Sequence, residues 1–327
     1  MPPLPLTRRG TAVPLHRSHH SSLKSSSAGG VRRPLLRAAV SVGTAGLVGL
    51  ALVQPAAANS GDQVRPSHAN RAAAPVRYVA LGDSYSSGLG IPDEVEPNCG
   101  RSDSNYPSLV AEALHAASVT DVTCAGADTS HMAGPQESAP PQLDALRPDT
   151  TLVTLGIGGN DLGLQEVGTR CVLVAYLDPN GSPCKTSYTL LGTDEIRSRI
   201  NTTAPKIDAI LQEIHARSPQ AKVLLVGYPA IMPDDGSACR DAIPFAAGDF
   251  AWFRDKEKEL NSMLSQQTSV YGATFVNTYS PSVGHDACKA EGVRWIEPKE
   301  TPEAAGFHPN AAGHRSMAAE VLARINP

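Results

Sequence analysis

Three observations along the chain predict an α/β fold, with a central parallel sheet covered by helices on both faces. Short β-branched runs alternate with longer stretches of helical period, the β-α-β-α order that builds parallel sheets. The runs are continuously apolar, as strands buried on both faces are. Gly, Asp, Ser and Asn concentrate just past the ends of three of them, where open α/β sheets bind ligands.

The first run, "VRYVALG" from Val76, ends in "GDSYSSG", and the helical pattern "YPSLVAEALHAA" follows from Tyr106. "TDVTCAG" from Thr120 and "TLVTLGIGG" from Thr151 read as the next two strands. A long helical period from Asp194 leads into "AKVLLVGYP" from Ala221. A further helix from Trp252, the strand "ATFVNTY" from Ala273 and the helix "NAAGHRSMAAEVLARI" from Asn310 complete the order. Two segments, Leu162 to Thr193 and Met232 to Asp249, are weakly periodic and rich in Gly, Pro, Asp and cysteine. They are expected to be ordered loops that wall the site, because long irregular insertions in compact domains are usually functional or disordered and disulfides argue for order. No internal repeat and no second domain is visible.

With 327 residues, 41% of them apolar, the chain can bury a substantial core. Its net charge of -4 supplies no global positive field for nucleic acid or an anionic membrane. The leader differs from the rest: Met1 to Arg37 has no acidic residue, and the apolar run "AAVSVGTAGLVGLALVQPAAA" closes on Ala56, Ala57 and Ala58. A basic region, an apolar core and a small-residue cleavage site read as a signal peptide over residues 1–58. A single membrane anchor is the alternative reading of the same run. "RRPLLR" from Arg32 resembles a twin-arginine signal, so the export route stays open. Residues 59–75 read as a polar linker, and 76–327 as one folded domain.

All six cysteines, Cys99, Cys124, Cys171, Cys184, Cys239 and Cys288, follow the expected cleavage site. An even count in an exported chain points to disulfides, although six cysteines allow fifteen pairings. The simplest is sequential. Zinc is the rival reading, but no C-x-x-C and no paired Cys/His spacing is present.

The strand ends carry the chemistry. Ser84 follows Gly82 and Asp83 in a strand-to-helix turn, and a serine hydroxyl becomes a nucleophile only when a base takes its proton. Among the ten histidines, His308 stands in "GFHPNAAGH", in a loop before a helix start that can face the sheet's end. A tetrahedral oxyanion needs fixed donors. The Ser84 and Gly126 N–H groups and the Asn160 amide, the latter two in "CAGADT" and "GGND", are suitable donors at the strand ends. Asp83 and Asp161 read as caps or turn braces, and Ser86, Ser87 and Thr129 as turn residues, with substrate contact as the alternative. Trp295 is either an acyl-pocket or a core residue. The sequon at Asn201 falls inside a predicted helix.

Taken in order, "GDSYSSG", the glycine of "CAGADT", "GGND" and "HPNAAGH" resemble the four blocks of the GDSL/SGNH hydrolase superfamily. The likeness runs from about Tyr78 to Ile325, and "CGRSDSNYPSLVAEAL" with the six cysteines is similar to its secreted actinomycete lipases and esterases. The resemblance implies a flavodoxin-like three-layer α/β/α sandwich, Ser84 as nucleophile and His308 as general base. It also implies an oxyanion hole of Ser84, Gly126 and Asn160, and sequential disulfides. The expectation is a secreted serine ester hydrolase with no metal or cofactor, acting on lipids or small acyl esters; no nucleic-acid or stable protein partner is implied, a monomer is the default, and the sequence leaves oligomeric state undecided.

One position departs from the family pattern. Most members carry an Asp three residues before the histidine, where this chain has Ala305. Three substitutes are open: a main-chain carbonyl of Ala305 or a neighbour, a carboxylate from Glu303, Glu297 or Asp286, or a bare Ser-His dyad. A carbonyl stabilises imidazolium less than a carboxylate does, so a modest loss of rate is expected. The missing acid also leaves a non-catalytic binding protein as the rival class.

Overall fold

The computed structural model describes residues 75–325. The expected signal peptide and nearly all of the expected linker fall outside them. Five strands form the central sheet: β1 (Arg77–Gly82), β2 (Ser118–Asp121), β3 (Leu152–Gly156), β4 (Lys222–Val226) and β5 (Thr274–Val276). Every neighbouring pair is parallel, in the order β2-β1-β3-β4-β5. This is the flavodoxin-like order, whose switch point lies where β1 meets β3.

Side chains on a strand alternate between faces, which is why these runs had to be apolar throughout. Tyr78 and Ala80 of β1, with Leu224 and Val226 of β4, pack against the helices Tyr106–Ala113 and Ala311–Ile325. Val79 and Leu81, with Val153 and Leu155, pack on the other face against the helices Glu195–Arg217 and Asp249–Thr268. The result is three layers. Each fully buried Leu or Ile contributes about 1.5–3 kcal/mol, and Leu155→Ala in the sheet centre costs about 2–5 kcal/mol.

The segment from Leu162 to Thr193 is not the loop its composition suggests. It holds two helices, α1 (Leu164–Ala175) and α2 (Pro183–Tyr188), joined by Cys171–Cys184. Gly163 in the left-handed region (φ 66°) starts α1, and glycine and proline break the pattern that would reveal such short helices. The second segment stays irregular up to Asp249, tied by Cys239–Cys288. Cys99–Cys124 joins the loop after β1 to the end of β2. With partners 25, 13 and 49 residues apart, each bridge stabilises by about 3 to 4 kcal/mol in the chain-entropy model. No helix among the described residues is long and apolar enough to cross a membrane.

Candidate active site

The register of the sheet brings the two glycine-rich loops together. Gly82 pairs with Gly156 across β1 and β3, and the Asp83 N–H donates to the Gly156 carbonyl at 2.9 Å. Gly82 is in the left-handed half of backbone space, and a Cβ there would lie 2.7 Å from the Gly156 carbonyl oxygen. Only glycine permits this approach. The chain then turns into the short helix Ser84–Ser87, capped by the Asp83 carboxylate, which accepts the Tyr85 N–H at 2.9 Å.

Ser84 Oγ lies 2.7 Å from His308 Nε2, and the other ring nitrogen, Nδ1, lies 2.7 Å from the Gly306 carbonyl. A carbonyl can only accept, so Nδ1 carries the proton of the neutral ring and Nε2 presents its lone pair to the serine hydroxyl. Burial holds the His308 pKa below its ordinary value, against the Gly306 bond, which favours the charged form. The ring is fixed from several sides. Phe307, between the carbonyl and the ring, is left-handed (φ 60°), and its carbonyl accepts the Tyr85 hydroxyl. Its N–H donates to the Glu297 carbonyl at 2.6 Å, and the Glu297 N–H donates to the His308 carbonyl at 3.0 Å. Backbone strain of this kind persists only where its surroundings over-determine it.

The acceptor for the ring is therefore a neighbour of Ala305. The Ala305 carbonyl is already taken by the His308 N–H at 3.2 Å. None of the three candidate carboxylates bonds the ring. Glu297 accepts from Arg294 and Asn310, Asp286 accepts the Cys288 N–H, and Glu303 is exposed.

Gly126, left-handed at φ 78°, and Asn160 line the same cavity as Ser84 and His308. Among the described residues neither the Ser84 nor the Gly126 N–H donates a hydrogen bond. Asn160 Nδ2 donates to the Ala127 carbonyl at 2.7 Å, which orients its amide and leaves a second N–H. Asp161 braces this arrangement, accepting the Thr129 N–H at 2.9 Å and Lys206 Nζ at 2.9 Å. Ser86 and Ser87 turn inward to Tyr106 and to the Gly100 carbonyl. Trp295 lies outside the cavity, stacked on His285 with ring centroids 3.8 Å apart.

Tyr228, just past β4, is a site residue that the sequence did not single out. Its hydroxyl accepts the Gly159 N–H at 2.8 Å and donates to Asp83 at 2.6 Å, tying the serine loop to the asparagine loop. Burial pushes the Asp83 carboxyl up to about 7, although both of its donors favour the charge. The rule that exposed Ser84 and Asn160, polar residues just beyond strand ends, also applies to "VGYP". A tyrosine past a buried strand is as suited to the core as to a site, so the sequence does not mark Tyr228.

The cavity, about 420 Å³, is walled mainly by apolar groups: Leu164 and Val172 of α1, Ile231, Phe253, Leu89 and Phe307. The first disulfide-bearing segment thus walls the site as expected, whereas none of 232–249 reaches it. Among the described residues no three His, Cys, Asp or Glu side chains converge as metal ligands would.

Comparison with known proteins shows the family of the chain. The model of the GDSL-like Lipase/Acylhydrolase family matches residues 80–316. Lipase 2 of Streptomyces coelicolor is 40% identical over 252 residues, covering 75% of this chain and 84% of its own. Lipase 1 of the same organism is 32% identical, over 72% of this chain and 81% of its own. Among solved structures, phospholipase A1 from Streptomyces albidoflavus superposes with a TM-score of 0.65 at 30% identity, covering 77% of this chain and 99% of its own. The extracellular lipase of Streptomyces rimosus gives 0.64 at 28% identity, covering 76% and 99%. The chain is a carboxylic ester hydrolase and belongs to the GDSL-like lipase/acylhydrolase family.

Proposed function

We propose that the protein is an exported lipase or esterase that cleaves acyl esters through a Ser84-His308 pair and an acyl-enzyme. The observation that carries the reading is the 2.7 Å contact between Ser84 Oγ and His308 Nε2 at the mouth of an apolar cavity. In the first half-reaction Ser84 Oγ attacks the acyl carbonyl carbon while His308 Nε2 takes its proton. The oxyanion is met by the Ser84 and Gly126 N–H groups and the Asn160 amide, worth roughly 3–4 kcal/mol per well-aimed donor. The C–O bond to the alcohol then breaks, and His308 returns the proton to the leaving oxygen. Water repeats the sequence in reverse roles and frees the acid and Ser84.

The Gly306 carbonyl replaces the carboxylate of the usual triad. It fixes the tautomer as a carboxylate would, but its dipole stabilises imidazolium less than a full charge does. The apolar walls favour acyl chains over sugar acetates, so triacylglycerols and long synthetic esters lead. Phospholipid acyl esters are the second reading, favoured by the resemblance to a phospholipase A1. Export is supported by the leader read from the sequence and by three disulfides, which persist in oxidising compartments.

The test is hydrolysis of p-nitrophenyl esters from acetate to palmitate, and of phosphatidylcholine, by the mature protein and by Ser84→Ala. Turnover of medium or long esters by the wild type, lost in the variant, supports the reading. Equal rates in the two proteins would exclude Ser84 as nucleophile.

A further inference from the structure

Gly168 is the one glycine among the described residues whose presence neither backbone conformation nor crowding explains. Its φ is not in the left-handed region, and a Cβ built on it would meet nothing within 4 Å. It lies inside α1, where glycine is a poorer helix former than any ordinary residue except proline. It is buried from solvent yet lines the cavity that contains Ser84. The missing side chain therefore leaves empty volume, and the cost to the helix is offset by nothing in the fold itself.

The place of that volume follows from helix geometry. Leu164, Gly168 and Val172 recur every four residues, so they form one stripe facing the cavity. The stripe begins at the asparagine loop, where the Leu164 N–H reaches the Gly159 carbonyl at 3.4 Å. Gly168 is one turn further on, about 6 Å along the axis. Its neighbours on the cavity-lining side of the helix are the aliphatic Leu164 and Val172 and the polar Gln165 and Thr169, and the position itself is an open notch.

We infer that Gly168 sets acyl-chain length, its notch receiving the chain beyond the first few carbons so that long-chain esters fit where a side chain would stop them. The inference rests on the acyl-ester reading above. A buried aliphatic side chain at 168 fills the notch, and the substrate loses the contacts that discriminate chain length.

The experiment compares wild type, Gly168→Ala and Gly168→Leu on p-nitrophenyl acetate and decanoate, with melting curves for all three. The expected result is a fall in the decanoate-to-acetate ratio of kcat/KM of at least about tenfold in Gly168→Leu and a smaller fall in Gly168→Ala. The alanine variant should also melt about 2–4 °C higher, because only the helix propensity improves. If Gly168→Leu does not fold, Gly168→Ala still decides: a higher melting point with an unchanged ratio overturns the inference. An unchanged ratio in a folded Gly168→Leu overturns it too. A wild type inert on both esters would instead sink the acyl-ester reading, and is recognised before any substitution is made.

Discussion

His308 and His314 close the two ends of one short block, "HPNAAGH", and their surroundings give them opposite chemistry. His314 is buried and His308 half-buried, and both meet the main chain through Nδ1. At His308 the partner is the Gly306 carbonyl, and at His314 it is the Tyr106 N–H, 3.0 Å away. The carbonyl puts the proton on Nδ1 and frees Nε2 as a base toward Ser84. The N–H puts the lone pair on Nδ1, so the proton of His314 lies on Nε2, which has no partner among the described residues. Burial depresses the His314 pKa to about 3. Which backbone group faces Nδ1 thus decides which ring nitrogen carries the proton and which is left bare.

The comparison breaks first by substitution. His308→Ala, like Ser84→Ala, is expected to lower kcat by roughly a thousandfold or more with little change in melting temperature. His314→Ala should do the reverse. Ester hydrolysis and thermal melts on the same preparations check both, and an inactive but stable His314→Ala would undo the distinction.

A smaller effect is expected at the oxyanion. Asn160→Ala should lose roughly a hundredfold to a thousandfold in kcat, with KM nearly unchanged, because the role proposed for the amide is to meet charge that develops only in the transition state. Steady-state kinetics on a single good ester measures the split. A loss confined to KM would make Asn160 a ground-state binding residue.

His314→Ala is also expected to destabilise by about 1–3 kcal/mol, since it leaves the Tyr106 N–H buried without its acceptor. Denaturant titration gives the value, and a loss below about 0.5 kcal/mol would mean that water or a shifted side chain takes over the bond.

The remaining effects are those of pH. His308 is held below 6.5 by burial, so the acid limb of kcat/KM should fall below pH 6.5. In stability, the unfolded chain protonates both histidines near 6.5 whereas the buried rings resist. Between the folded and unfolded pKa values the unfolded state binds more protons. Each ring's contribution is therefore complete above pH 6.5 and drains as pH falls, by up to about 1.4 kcal/mol per unit. Asp83 acts in the opposite sense: raised to about 7 from 3.8, its contribution is complete below 3.8 and is lost as pH rises toward 7. Removing His314 should flatten the stability profile between about pH 4 and 6 by close to one proton. An unchanged slope would show that His314 does not resist protonation.

The strands were legible because double-sided burial demands unbroken apolar runs; Ser84, Gly126 and Asn160, each readable alone as a turn or packing residue, were legible only as a set at the strand ends through the family resemblance, and the structure brings them to one cavity. His308 was legible from its loop position. Its orienting partner was legible only as a class: a main-chain carbonyl has no side chain to read, and Gly306 acts through a turn made by left-handed Phe307, a conformation that phenylalanine does not advertise. Helix α1 was missed for a related reason. Its glycines at 163 and 168 serve a cap and a cavity, and both look like loop composition. Trp295 was open between pocket and core, and stacks on His285 instead because the 295–297 segment is paired to the histidine loop from behind.

The most direct test of the opposed tautomers is a nitrogen-15 NMR spectrum of the imidazole side chains near pH 7.5, with His308 and His314 assigned by substitution. The expected spectrum shows the His308 proton on Nδ1 with Nε2 bare, and the His314 proton on Nε2 with Nδ1 bare. A His308 ring protonated on Nε2 would contradict it, since that nitrogen could not then accept the proton of Ser84.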